Sequence, residues 1–153
     1  MTRPEKIALG DVLKAEGLLT DEQLQQALAE QSRSGRKLAR VIAEAGFASE
    51  DAIARTLAQK LNATYVDLRS FTPQPEAVAL LPESAARRYR AMVLEQQDER
   101  PVVGFADPTD LAAYDEVSRL LRREIALAVV TESELLLAMN RIYPGIMATG
   151  AAG

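Results

Sequence analysis

The chain has 153 residues, 48% apolar and 26% charged, with a formal net charge of −4 and neither histidine nor cysteine. That length holds one domain or two small ones, while the missing residues remove common zinc sites, disulfides and His-assisted nucleophiles, and the acidic balance gives no broad footprint for nucleic acid. No run approaches the ~18 apolar residues of a membrane span, the N-terminus has no signal-peptide core, and no G-x-x-x-x-G-K-[ST] loop occurs; the expectation is a cytoplasmic chain that is not an enzyme, needs no metal or cofactor and inserts in no membrane.

The first elements come as a repeat. ALGDVLKAEGLLTDEQLQQALAEQ (8–31) is followed, after SRSGR, by KLARVIAEAGFASEDAIARTLAQK (37–60), the same pattern 29 residues on. Leu9 aligns with Leu38, Val12 with Val41, Gly17 with Gly46, Leu24 with Ile53 and Leu28 with Leu57. Apolar positions recur at helical spacing, so each copy predicts a helix pair. The first helix of each pair stops at Gly17 or Gly46, which suit a left-handed C-terminus. The second starts at Thr20 or Ser49, both good N-caps, and Thr20 with Gln23 has capping-box spacing. Two helix pairs that each bury one face need each other, so packing alone explains the repeat. A DNA-reading helix-turn-helix is a weaker alternative, because both second helices begin acidic and carry few basic residues.

Beyond residue 62 the pattern changes. TYVDL (64–68) reads as a short strand and FTPQP (71–75) as a loop. EAVALLPESAARRYR reads as two short helices broken at Pro82. AMVLEQQ and PVVGFAD form a hairpin candidate around DER. Asp107-Pro108 is expected as N-cap and first residue of the helix DLAAYDEVSRLLRR. A strand EIALAVV and a closing helix ESELLLAMNRIY follow. Glu124, Glu132 and Glu134 read as surface charge. The fold class is α+β: a four-helix unit over 1–61, a small α/β subdomain over 62–143, and a flexible tail or linker over 144–153.

The pattern [R]-L-G-x-x-L-L-x-x-G-L-L-x-x-x-x-L-x-x-x-L-x-x-Q, written twice, resembles the N-terminal domain of type II secretion and type IV pilus assembly ATPases, in particular the branch serving mannose-sensitive haemagglutinin pili. LLPESAARRYRAMVLE, VGFADPTDLAAYDEVSRLLRREIALAVV and ELLLAMNRIY carry the resemblance through the second half. It implies a cytoplasmic regulatory domain that binds cyclic di-GMP and controls such an ATPase, in cis or trans. The inner-membrane platform proteins are implied partners and would place the domain peripherally at that membrane. A doubled motif would then serve a two-fold symmetric nucleotide. The implied ligand-binding residues of the repeats are Leu9, Gly10, Leu24, Leu28 and Gln31 in the first copy, and Lys37, Leu38, Ala39, Ile53, Leu57 and Lys60 in the second. From the second half the resemblance adds Arg87, Arg88 and Asp107, with Arg90 beside them. ARRYR also fits a solvated helix end, and Asp107 also fits a plain N-cap.

Four positions depart from the pattern. Ala8 stands where it has Arg, Ala39 where it has Gly, and Lys60 where it has Gln. Lys37 keeps the charge of an Arg without its planar fork. Arg3 or Lys6 can stand in for the missing Arg. The alternative reading is therefore a degenerate domain that has lost the nucleotide and serves as a protein-docking module of the same machinery.

Overall fold

The computed structural model describes Pro4 and residues 7–148, with side chains through Gly145. Arg3 and Lys6 lie outside the described residues. Four helices come first: α1 (Leu9–Ala15), α2 (Asp21–Ser34), α3 (Leu38–Glu44) and α4 (Glu50–Lys60). Their boundaries follow the local chemistry. Gly17 and Gly46 take φ of +82° and +80° just past α1 and α3, where a side chain would be strained. Thr20 and Gln23 form a reciprocal capping box on α2, and the Ser49 hydroxyl accepts from Ala52 N–H on α4. The apolar positions of both copies converge: Val12, Leu13, Leu24, Val41, Ile42, Ile53 and Leu57 form one core.

The second half builds a four-stranded sheet from β1 (Thr64–Tyr65), β2 (Ala91–Gln97), β3 (Arg100–Phe105) and β4 (Ala126–Val129), in the order β1-β4-β3-β2. β4 runs parallel to both β1 and β3, while β2 and β3 are an antiparallel hairpin. The hairpin turn is Asp98-Glu99, both at positive φ, as a two-residue type I′ loop requires. Helices α5 (Pro75–Val78), α6 (Glu83–Tyr89), α7 (Leu111–Leu121) and α8 (Glu132–Ala148) complete the layer. Leu81, Met92, Leu94, Phe105, Ile125, Leu135 and Met139 fill a second core. α4 joins the halves: Ala54 and Ala58 pack on Val129 of β4, small residues that let the helix approach the strand closely. Glu50 at the start of α4 hydrogen-bonds Ser133 in α8, and Arg69 pairs with both Asp51 of α4 and Glu134 of α8.

Four local expectations need correction. The strand expected over 64–68 pairs only at Thr64 and Tyr65, with one further bond from Val66 N–H to Val129. Asp107 is not the N-cap of α7. Asp107 and Pro108 open a turn closed by Asp110 N–H on the Asp107 carbonyl, proline taking the second turn position, and Asp110 caps α7 through Ala113 N–H. Glu132 and Glu134 are not surface charge: their side chains are only 16% and 14% exposed, because the first turn of α8 docks against the arginines of the other elements. The stretch expected as a tail from residue 144 continues α8 to Ala148, with Pro144 inside the helix, and residues 149–153 lie outside the described residues.

Candidate functional site

The carboxyl ends of β3 and β4 and the start of β2 lie at one end of the sheet, and the four-helix unit stands over that end. A cavity of about 280 Å³ opens between them. This is where open α/β sheets commonly take ligands, beyond the carboxyl ends of parallel strands. Its helical wall comes from Leu9 and Gln31 of the first copy and from Lys37, Leu38, Ala39, Ile53 and Leu57 of the second. The opposite wall comes from Arg88, Tyr89 and Arg90 before β2, Asp107 and Asp110 after β3, and Thr131 and Glu132 after β4.

The two copies contribute in a complementary way. Leu9 and its equivalent Leu38 both reach the cavity. At five further equivalent pairs one member does: Lys37 and not Ala8, Ala39 and not Gly10, Ile53 and not Leu24, Leu57 and not Leu28, Gln31 and not Lys60. Leu24 is instead buried in the helical core, and Leu28 is 39% exposed. Gly10 belongs to packing as well: a Cβ there would lie 2.6 Å from Leu24 Cδ1. Lys60 is exposed at the end of α4. Arg87 is also off the wall, tied to Glu83 at 2.8 Å and to Asn140 at 2.9 Å. Both copies thus contribute to the wall, the second with more residues than the first.

The charged groups on the wall divide by how much bonding capacity they have left. Asp107 accepts Thr109 N–H at 3.0 Å, and Asp110 accepts Ala113 N–H at 3.0 Å, so both carboxylates serve turns. Glu50 serves the first turn of α8. Arg90, at φ +50° as the C-cap of α6, donates Nε to Glu132 at 2.8 Å and a second nitrogen to the Arg87 carbonyl at 2.6 Å. Lys37 and Arg88 make no ion pair among the described residues; Arg88 lies 5.4 Å from the Tyr89 ring centroid. The site thus offers cations beside an apolar floor of leucine and isoleucine, an arrangement suited to an anion carrying flat or apolar groups. Sequence reasoning missed Arg40, Glu50, Tyr89, Thr131 and Glu132 on this wall. Nothing in their spacing marks them, since the turns after β3 and β4 and the face of α3 meet only on folding.

Residues 61–149 match the MshEN domain. The chain belongs to the MshEN domain family. The matched stretch covers the α/β half and the cavity wall it supplies, while the resemblance of the helical repeat rests on longer alignments. This MshEN domain is 34% identical over 138 residues to the type IV pilus assembly ATPase PilB of Thermus thermophilus, covering 89% of the chain and 16% of that protein. The solved structure of MshE with cdg is 34% identical and superposes with a TM-score of 0.75, covering 90% of this chain and 99% of the other. The N-terminal domain of XpsE is 25% identical with a TM-score of 0.73, over 94% and 99% of the two chains. The chain thus spans about one sixth of the length of the PilB relative, and only that part of the relative is compared.

Proposed function

We propose that this MshEN domain binds cyclic di-GMP in the cavity between the four-helix unit and the sheet, and passes the binding event to a type IV pilus or type II secretion ATPase in the cytoplasm. The observation that carries the reading is the presence of Lys37 and Arg88 beside the floor of Leu38, Ile53 and Leu57 in one cavity. The ligand of MshE and the kinship with PilB support the nucleotide and the machinery. Phosphates have Lys37 and Arg88 to meet, and the guanines have an apolar floor and planar donors. Ala39 in place of Gly narrows the approach at the start of α3 by one methyl.

Calorimetric titration of the purified chain tests this. Cyclic di-GMP should bind and should outcompete GTP, GMP and cyclic di-AMP. Equal displacement by cyclic di-AMP would remove guanine readout from the proposal. No heat and no thermal stabilisation at millimolar cyclic di-GMP would leave the docking-module reading, which the departures at Ala8, Ala39 and Lys60 favour. The 153-residue chain should release no phosphate from ATP, since its sequence holds no phosphate-cradling loop.

A further inference from the structure

Among the arginines that line or border the cavity, Arg40 is held differently. Arg90 and Arg87 are fixed by bonds of 2.6–2.9 Å to carboxylates, amide or carbonyl oxygens. Arg40 lies between Glu44 of its own helix and Glu132 of α8, with one guanidinium nitrogen 3.5 Å from each. Both distances fall outside the 2.7–3.2 Å of a good N–H···O bond. Its planar group therefore has Coulombic partners on two sides and no short hydrogen bond to either. The side chain is 32% exposed and sits on the cavity wall, one helical turn from Lys37. Glu132 does not depend on it, because Arg90 Nε holds the same carboxylate at 2.8 Å.

We infer that Arg40 is a further phosphate-reading arginine of this site, beside Arg88, exchanging its long contact with Glu132 for a phosphodiester oxygen of the bound nucleotide. The inference rests on the reading that the cavity takes cyclic di-GMP, and it supplies a guanidinium where Ala8 leaves the family pattern without one. Breaking the contact costs little, since it is long and Glu132 keeps Arg90. Forming the new one gives a charge-assisted, two-pronged bond. Glu132 is then a resident competitor: its negative charge faces the same arginine that the ligand must engage. The exchange also couples the site to the rest of the fold, because the Arg40–Glu132 pair bridges α3 and α8, one element from each half.

The two partners of one ion pair should therefore act on binding in opposite directions, which a merely structural pair does not do. Calorimetry on the whole chain with cyclic di-GMP reads this, using Arg40→Gln, Arg40→Lys, Glu132→Gln, the Arg40→Gln/Glu132→Gln double variant, and Arg119→Gln as a charge-loss control on α7. Arg40→Gln should weaken binding about ten- to hundredfold, the size of one charged hydrogen bond. Arg40→Lys should fall between, since it keeps the charge and loses the fork. Glu132→Gln should tighten binding by about three- to tenfold, and the double variant should lose that gain. Arg119→Gln should bind as the unmodified chain. Thermal melts should show a small loss for Arg40→Gln and a larger one for Glu132→Gln, which also gives up the pair with Arg90. Unchanged binding by Arg40→Gln, or weakening by Glu132→Gln to the same degree, overturns the inference and leaves the cavity's ligand in place. Failure of the unmodified chain to bind overturns both. Should Arg40→Gln fail to fold, Arg40→Lys and Glu132→Gln still decide the direction.

Discussion

Glu50, the first residue of α4, reaches the second residue of α8: its carboxylate accepts the Ser133 hydroxyl at 2.6 Å and the Ser133 N–H at 3.3 Å. A helix of the repeat thereby caps a helix of the α/β half. A negative charge at that end of α8 is favourable, and the bond spans 83 residues of chain. Replacing Glu50 by Ala should cost about 1–2 kcal/mol in urea unfolding, as expected for a part-buried charged hydrogen bond. A loss within error would mean that water replaces the carboxylate without penalty.

Gly10 should behave as a packing residue. Its α-carbon faces Leu24 so closely that an added methyl displaces the leucine side chain. Gly10→Ala should destabilise by about 1–3 kcal/mol, and Leu24→Ala should recover part of that loss in the double variant, since the two positions share one space. Cyclic di-GMP affinity measured on the folded Gly10→Ala protein should stay within about twofold. A large drop in affinity at unchanged stability would place Gly10 in the binding surface.

The equivalent positions of the repeat should separate by function. Lys37→Ala, on the cavity wall, should weaken cyclic di-GMP about tenfold or more. Lys60→Gln, which restores the residue type of the family pattern outside the wall, should leave affinity unchanged. Equal effects of the two substitutions in calorimetry would contradict the one-sided use of these positions.

Alkaline stability should report on Tyr143. Its hydroxyl donates to the Leu81 carbonyl at 3.0 Å, and burial pushes its pKa up to about 12. A tyrosine in the unfolded chain ionises near 10. The neutral form is favoured in the fold, so this stabilisation is complete below about pH 10 and is lost as pH rises towards 12. Burial raises Tyr65 and Tyr114 in the same direction, so they add to the fall. Tyr143→Phe should cost about 1 kcal/mol at neutral pH by stranding the Leu81 carbonyl, and should flatten the decline above pH 10 in denaturant titrations. An unchanged alkaline slope would show that Tyr143 does not titrate in this range.

The helix pairs were readable because their information is local. Thr20, Gln23 and Ser49 cap the backbone within three residues of themselves, and Gly17 and Gly46 supply a φ that other residues resist. The short apolar runs in AMVLEQQ and PVVGFAD, split by the polar DER, likewise specify a hairpin whose partners are neighbours in the chain. Asp107-Pro108 misled because the same dipeptide opens either a helix or a turn, and the choice went to Asp110, which lies closer to the apolar run of α7. The cavity was half legible. The repeat pattern pointed to Leu9, Leu38, Ile53 and Leu57, yet it could not say that Leu24 would turn inward, since both faces of a small helix bundle are apolar near its centre.

The sequence by itself determined the duplicated helix pairs, their caps, the hairpin and the alternation of helices and strands in the second half, because each of these depends on residues a few positions apart. Tertiary structure alone decided which repeat residues face the cavity, that Glu132 and Glu134 are covered, and that Arg40 stands between two carboxylates. Those facts arise where α3 and α4 meet the ends of β3 and β4 and the first turn of α8. The groups that meet there, such as Arg40 and Glu132, are 92 residues apart in the chain. Their energies depend on burial and distance, quantities that exist only once the two halves have packed through Ala54 and Ala58 onto Val129.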